Sequence, residues 1–305
     1  MKRTIQSLQA GRGLAALAVV VHHAALASRT FGQAAFKPLE LGYLGVDFFF
    51  VLSGFIIYHS TAGQNRSLRQ FASARFRRVY LPYWPVGIAV AFLYATHPMT
   101  QQWSWLSTLT LAPVDAKPAL TVAWTLQHEI LFYLAFGLFY FSGLLTLGLA
   151  AWGVAVLCGL PHLPFEAINL EFFFGIGACL LYRRGLAHPL LLLVAVLPVL
   201  LFCFYHDRLL IGAAFALLIA PLAQLERRGR FQVPGALVVL GAASYSLYLV
   251  HYPIVAAVAR IPAAPILGAG IIAALVAGFA YHFLIERRVI VARWNPEVFL
   301  GPKRG

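Results

Sequence analysis

GRGLAALAVVVHHAALAS, residues 11–28, carries no polar side chains other than those of Arg12, His22, His23 and Ser28. With the two residues before it, the run covers 9–28, ~30 Å of α-helix at about 1.5 Å per residue, which is the thickness of a bilayer's hydrocarbon core. Lys2 and Arg3 ahead of the run and Ala25-Leu26-Ala27 at its end imitate a cleavable signal peptide. Arg12 and the histidine pair interrupt it, however, and many further spans follow, so this first helix is expected to stay in the protein.

Outward from it, apolar runs of helical spanning length recur near 41–58, 79–97, 121–141, 143–161, 167–182, 189–206, 208–225, 235–259 and 264–285. The expectation is an all-α fold, a polytopic membrane bundle of about ten transmembrane helices, with residues 1–305 forming a single transmembrane domain. Composition agrees: 61% of the 305 residues are hydrophobic and 11% charged, whereas soluble domains hold roughly 45–50% apolar and about 25% charged residues. Such an excess must face lipid, so membrane lipids are an expected partner. The net charge of +13 does not point to nucleic acid, because the basic residues sit in short clusters between apolar runs. With a cytoplasmic N-terminus, 18 of the 23 Lys and Arg fall on inside segments and 5 outside. The positive-inside rule then places both termini in the cytoplasm, and the localisation expected is a multi-pass protein of the bacterial inner membrane. Cys158, Cys179 and Cys203 lie in apolar runs without metal-ligand spacing, so they read as buried packing residues, and no metal is expected. The outside loop 98–120, with Trp103, Trp105 and Pro113, reads as a segment resting at the interface.

An ionisable group at membrane depth costs a few kcal/mol or more, so each is a functional hypothesis. Arg12 and His23 are eleven residues apart, which places them on one stripe of the first helix about 16 Å apart, while His22 is turned by about 100°. Counted inward from the outer ends, His23, Asp47, Glu129 and His251 fall about 7–12 Å deep. One shared cavity is the economical expectation, against separate helix-to-helix hydrogen bonds. Thr125, Glu129 and Tyr133 share a helix face, as do Ser244, Tyr248 and His251. The basic run Arg75-Phe76-Arg77-Arg78 stands just before a span, and arginine forks suit phosphate, so a phosphorylated cytosolic cofactor could dock there. The competing reading of that run is positive-inside anchoring alone.

These stretches together resemble the acyltransferase family 3 membrane proteins. The resemblance runs through Gly11-Arg12-Gly13-Leu14-Ala15-Ala16 to His23, through Gly45-Val46-Asp47-Phe48-Phe49-Phe50-Val51-Leu52-Ser53-Gly54-Phe55, and through Phe71, Arg75, Arg78 and Pro82-x-Trp84. It continues in Trp124-Thr125-Leu126-x-x-Glu129-x-x-Phe132-Tyr133, Ser244 to Pro253, and Ile285-Glu286-Arg287. The departures are Arg288 where a proline is common and Gln127-His128 before Glu129. The resemblance implies that acyl groups, commonly acetyl, move onto extracytoplasmic carbohydrates. It implies that His23 is the catalytic histidine with Arg12 its partner, and that Arg75 and Arg78 belong to the acyl-CoA side.

The expected reaction therefore takes an acyl group from acetyl-CoA or another acyl-CoA to a hydroxyl of a cell-envelope polysaccharide or lipid-linked saccharide. His23, Glu129 and Arg12 are the catalytic candidates, Arg75, Arg77 and Arg78 the donor-binding ones, and Asp47, Tyr133 and His251 the substrate-binding ones. The alternative is a proton-coupled transporter whose His, Glu and Asp relay protons.

Overall fold

The computed structural model describes residues 5–96, 102–114, 116–160 and 162–288. Among them the chain folds into α1 (Gln6–Thr30), α2 (Gly45–Thr61), α3 (Leu68–Thr96), α4 (Trp105–Thr110), α5 (Trp124–Phe141) and α6 (Leu145–Leu157). The second half adds α7 (Leu170–Arg183), α8 (Leu191–Val194), α9 (Val196–Tyr205), α10 (Arg208–Arg227), α11 (Gly235–Val258) and α12 (Ile266–Tyr281). The all-α, polytopic expectation holds. Among the described residues seven helical stretches are long and apolar enough to cross a membrane: Gln6–Thr30, Lys37–Thr61, Leu68–Thr96, Thr121–Phe141, Arg208–Arg227, Gly235–Val258 and Ile266–Glu286.

The runs expected at 143–161, 167–182 and 189–206 contain shorter helices. α6 has 13 residues, α7 has 14 and α9 has 10. Gly159 and Gly185, with φ of +65° and +74°, stop α6 and α7 in the left-handed conformation that glycine adopts without a Cβ penalty. Leu147, Val154, Leu157, Leu193, Leu197 and Leu200 on these helices are exposed, as lipid-facing side chains are.

The helices that position the site meet backbone to backbone. α2 and α7 run parallel, and a Cβ on Gly54 would stand 2.0 Å from the Phe172 carbonyl oxygen, one on Gly175 1.8 Å from that of Val51. Small residues at such crossings let helix axes approach closely where lipid supplies no hydrophobic drive. Phe50 and Phe132 close on Phe172 from either side, at ring distances of 4.9 and 4.2 Å.

Helix ends are tied to one another. Glu226, ending α10, accepts hydrogen bonds from the backbone N–H groups of Gln6 and Ser7, both at 2.7 Å, where the helix dipole favours a carboxylate. Arg183 donates to the Ala62 carbonyl at 2.7 Å, and the Tyr140 hydroxyl to that of Thr61 at 3.3 Å. At the opposite ends Arg29 pairs with Glu40, and the Gln33 side chain bridges the Ala264 carbonyl and the Ile266 N–H.

The segment between α3 and α5 corrects the expectation of an interfacial loop. Trp105 meets Phe92 of α3 edge to face, while the Leu109 and Thr110 carbonyls accept from Trp84 and Tyr80, two to three turns nearer the start of α3. α4 therefore descends along α3, and Leu111, Ala119 and Leu120 are buried. Non-helical backbone at this depth is tolerated because protein groups satisfy it. Gln127 donates to the Ala112 carbonyl at 2.9 Å and Thr108 accepts from the Ala119 N–H at 2.9 Å.

The cysteines are corrected in part. Cys179 is buried, but Cys158 and Cys203 are exposed, the first just past the end of α6 and the second on the outward face of α9.

Candidate active site

α1 and α11 form the seam on which the site is built. α11 presents Ser244, Tyr248 and His251 along one face, as the i, i+4, i+7 spacing requires, with His251 meeting α1 and Tyr248 reaching α5. The lower part of this seam opens into a cavity of about 130 Å³, lined by Arg12, Ser53, Arg75, Glu129, Tyr133 and Tyr248, with Phe49, Leu52 and Val79 supplying apolar wall. Thr125, Glu129 and Tyr133, the face read from sequence on α5, all line it.

The charges in this cavity are unevenly matched. Glu129 accepts from Ser53 Oγ at 3.2 Å and from the Tyr133 hydroxyl. Arg78 gives its charge to Glu286 at 2.8 Å, and that carboxylate, 2% exposed, also accepts from Ser246 and His282. Arg12 and Arg75 have no carboxylate within 4 Å among the described residues. Among the described residues Arg12 reaches only the Gln9 amide oxygen, at 3.4 Å. Arg75 donates to Ser60 Oγ at 3.3 Å, packs over the Phe71 and Tyr133 rings, and keeps a buried Nε without a partner among the described residues. Two arginines whose charge is not neutralised by a carboxylate, facing a partly apolar cavity, make a site for an anion that carries a short apolar group.

Arg77 does not take part. It is exposed and bonds Ser73 Oγ at 2.8 Å on its own helix. Its position, two residues from Arg75, turns it to the other side of α3.

The single cavity expected for His23, Asp47, Glu129 and His251 is replaced by three separate groups. Glu129 belongs to the arginine cavity. His23 and His251 meet each other, with His251 Nε2 3.2 Å from His23 Nδ1. Asp47 is fully buried and takes two hydrogen bonds from Arg208 of α10, at 3.0 and 2.9 Å, which leaves it no free face for a substrate. Counting residues down a helix yields depth and nothing about lateral position, and these groups differ laterally. Arg208, Asp47's partner, opens the apolar run 208–225, and that place at the first turn of a span is the signal for it in the sequence.

The histidine pair sits directly above the cavity. Tyr248 is the shared wall: its ring lies 5.5 Å from that of His251, and its hydroxyl bonds Thr125 Oγ1 at 2.8 Å and donates to the Val122 carbonyl at 3.1 Å. Phe49 packs on Tyr248 from the α2 side. His22 turns away, as expected, and its Nδ1 meets the Glu40 carbonyl. Arg12 and His23 thus share a stripe but serve different chambers. The departures Gln127 and His128 hold the descending segment and the start of α7, the latter through Asn169 at 2.9 Å.

A stripe of arginine then histidine on α1, a carboxylate on α5 and a Ser–Tyr–His face on α11 converge here, and comparison with known sequences agrees with what they suggest. The family described as an acyltransferase domain matches residues 5–286. The chain belongs to acyltransferase family 3. It is a membrane acyltransferase. It is 28% identical over 289 residues to an exopolysaccharide production protein, ExoZ, of Rhizobium meliloti, covering 82% of this chain and 90% of that one. It is 29% identical over 311 residues to the acyltransferase MdmB of Streptomyces mycarofaciens, covering 82% and 79%. Over 152 residues, 45% of this chain and 22% of the relative, it is 30% identical to the peptidoglycan O-acetyltransferase OatA of Listeria monocytogenes. No solved structure matches the chain.

Proposed function

We propose that this acyltransferase carries acetyl from cytoplasmic acetyl-CoA to a hydroxyl of a polysaccharide or lipid-linked saccharide outside the bacterial inner membrane. The observation that carries the reading is the stacking of the arginine cavity beneath the histidine pair along one seam. Arg12 and Arg75 receive donor phosphate, from which the pantetheine arm of the donor carries the acetyl group up the seam toward His23. An envelope saccharide as acceptor is favoured by the printed names of the Rhizobium and Listeria relatives.

In the transfer, Nε2 of His23 takes the acceptor hydroxyl proton as the oxygen attacks the thioester carbonyl. The C–S bond breaks, and the departing CoA sulfur takes that proton from His23, leaving an ester and free CoA thiol. Tyr133 and Ser53 hold the Glu129 carboxylate in place beside the donor.

Purified protein in liposomes tests this with labelled acetyl-CoA at the Arg75 face and methyl glucoside, as probe acceptor, at the other. Label on the glucoside matched by thiol release supports the proposal. Saccharide flux independent of acyl-CoA would return the transporter reading instead. In the same assay Arg75→Ala should raise the apparent KM for acetyl-CoA by about tenfold to a hundredfold while retaining most of the maximal rate, because an arginine-to-phosphate bond is worth roughly 1.5–3 kcal/mol. An unchanged KM would reduce Arg75 to a topological anchor.

Ten spans with both termini cytoplasmic remain the favoured topology. The tied ends support it, since Arg183 meets Ala62 and Glu226 meets Gln6 on one side while Gln33 meets Ala264 on the other. In this arrangement α6, α7 and the α8–α9 pair cross as shortened helices. Single cysteines placed at Gln70 and Leu186 should react only with cytoplasmic reagent, and those at Gly32 and Leu160 only from outside. Leu160 and Leu186 labelling from one side would reduce the crossings to fewer than ten.

A further inference from the structure

We infer that His251 is a positioning residue that fixes the tautomer of His23, so that the unprotonated nitrogen of His23 is always Nε2. This rests on the reading of His23 as the base.

His251 Nδ1 lies 2.7 Å from the Tyr248 carbonyl oxygen and 3.2 Å from that of Leu247. Carbonyls only accept, so Nδ1 carries the proton, and in a neutral imidazole Nε2 is then bare. That bare nitrogen faces His23 Nδ1 at 3.2 Å. His23 Nδ1 must therefore be the donor. A second contact on another element agrees: His23 Nδ1 is 3.0 Å from the Val19 carbonyl oxygen, again an acceptor. The Val19 carbonyl already takes a helical bond of α1 and so supports this placement, while the bare nitrogen of His251 decides it.

The opposite assignments fail on the same distances. Two imidazolium rings would set N–H against N–H at 3.2 Å. A protonated His251 beside neutral His23 would leave the Nδ1 lone pair of His23 facing the Val19 carbonyl. The remaining neighbours are the His22 ring at 4.8 Å, the Tyr252 ring at 5.2 Å from His23 and the Tyr248 ring at 5.5 Å from His251. No carboxylate hydrogen-bonds either histidine among the described residues.

His23 Nε2 makes no hydrogen bond within the described residues, and the side chain is half-buried whereas that of His251 is fully buried. The free lone pair is on the accessible ring. When it takes the acceptor's proton, the charge that appears on His23 is shared through Nδ1–H with the neutral His251 Nε2. A carboxylate in that position would do the same work, as in hydrolase triads, at the cost of holding a full charge within the membrane. An imidazole anchored to two backbone carbonyls sets the tautomer without that charge.

The test uses the full chain in lipid nanodiscs with ¹⁵N-labelled histidine, and acetyl-CoA with methyl glucoside as the activity probe. The parent should show His23 protonated at Nδ1 and bare at Nε2. His251→Gln, whose amide oxygen reaches the position of Nε2 as an acceptor, should keep that tautomer and hold turnover within about tenfold of the parent. His251→Phe fills the same space without an acceptor. It should give mixed tautomers at His23 and lower turnover about 100-fold or more, with KM for acetyl-CoA unchanged.

An Nε2–H proton on His23 in the parent, parent-like turnover in His251→Phe, or equal loss in the Gln and Phe variants would each overturn the inference. Failure of the underlying reading is separate: transfer that survives in His23→Ala removes His23 as the base whatever the spectra show.

Discussion

His23→Ala should lower acyl transfer by about 100-fold or more while the protein inserts and binds acetyl-CoA as the parent does, since a positioned base contributes roughly 10²–10⁴ to such a step. The comparison is His22→Ala. His22 uses its Nδ1 on the Glu40 carbonyl, which steadies the stretch Lys37–Leu44 and leaves that ring outside both chambers. Losing such a hydrogen bond costs about 1 kcal/mol of stability and leaves the chemistry nearly intact. Initial rates of thiol release, with membrane yield measured in parallel, check both. An inactive His22→Ala beside an active His23→Ala would reverse the assignment.

Arg78→Ala should damage the protein itself. Glu286 is almost fully buried against Arg78, Ser246 and His282, and removing the arginine strands its charge, at a cost of about 3–5 kcal/mol. The expected result is a sharp loss of thermal midpoint in detergent and of yield. Arg75→Ala, which leaves no carboxylate behind, should be close to the parent in both. Pairing Arg78→Met with Glu286→Gln should recover much of the loss, because removing both charges spares the desolvation of either. Thermal midpoints indistinguishable among Arg75→Ala, Arg78→Ala and the parent would remove Arg78 from this structural role.

Helical periodicity made the two faces of the site legible in sequence. Thr125, Glu129 and Tyr133 do line one wall, and Ser244, Tyr248 and His251 do lie along one seam, because i, i+4 spacing is a property of a single helix. Which helices touch was not legible. Asp47 and Glu129 have similar depth by residue count but sit in different places, one against Arg208 and the other beside Ser53. The outward turn of Arg77 is legible in the sequence, since a rotation of about 100° per residue sets it on the far side of α3 from Arg75 although both belong to one basic run. The pairing of Arg78 with Glu286, 208 positions apart, is a property of the fold that no local spacing carries. The descent of α4 beside α3 had no periodic signal, since its backbone is satisfied by Gln127, Tyr80 and Trp84 rather than by a regular helix.

The glycine crossing of α2 and α7 determines what can move. With Gly54 against the Phe172 carbonyl and Gly175 against that of Val51, no layer of side chains lies between the two helices to shear or repack. Interiors of this density are bistable at their looser seams, not continuously deformable. α2 and α7 therefore behave as one keel. The walls of the arginine cavity that meet this keel through side chains are those of α3 and α5, which bring Arg75 and Glu129. α3 also contains Pro82 and Pro85, each of which removes a backbone donor and makes a bend cheap at that level. For the transfer proposed above, the reach of the acetyl group past Phe49 and Tyr248 is then a matter of one flank swinging on a fixed spine.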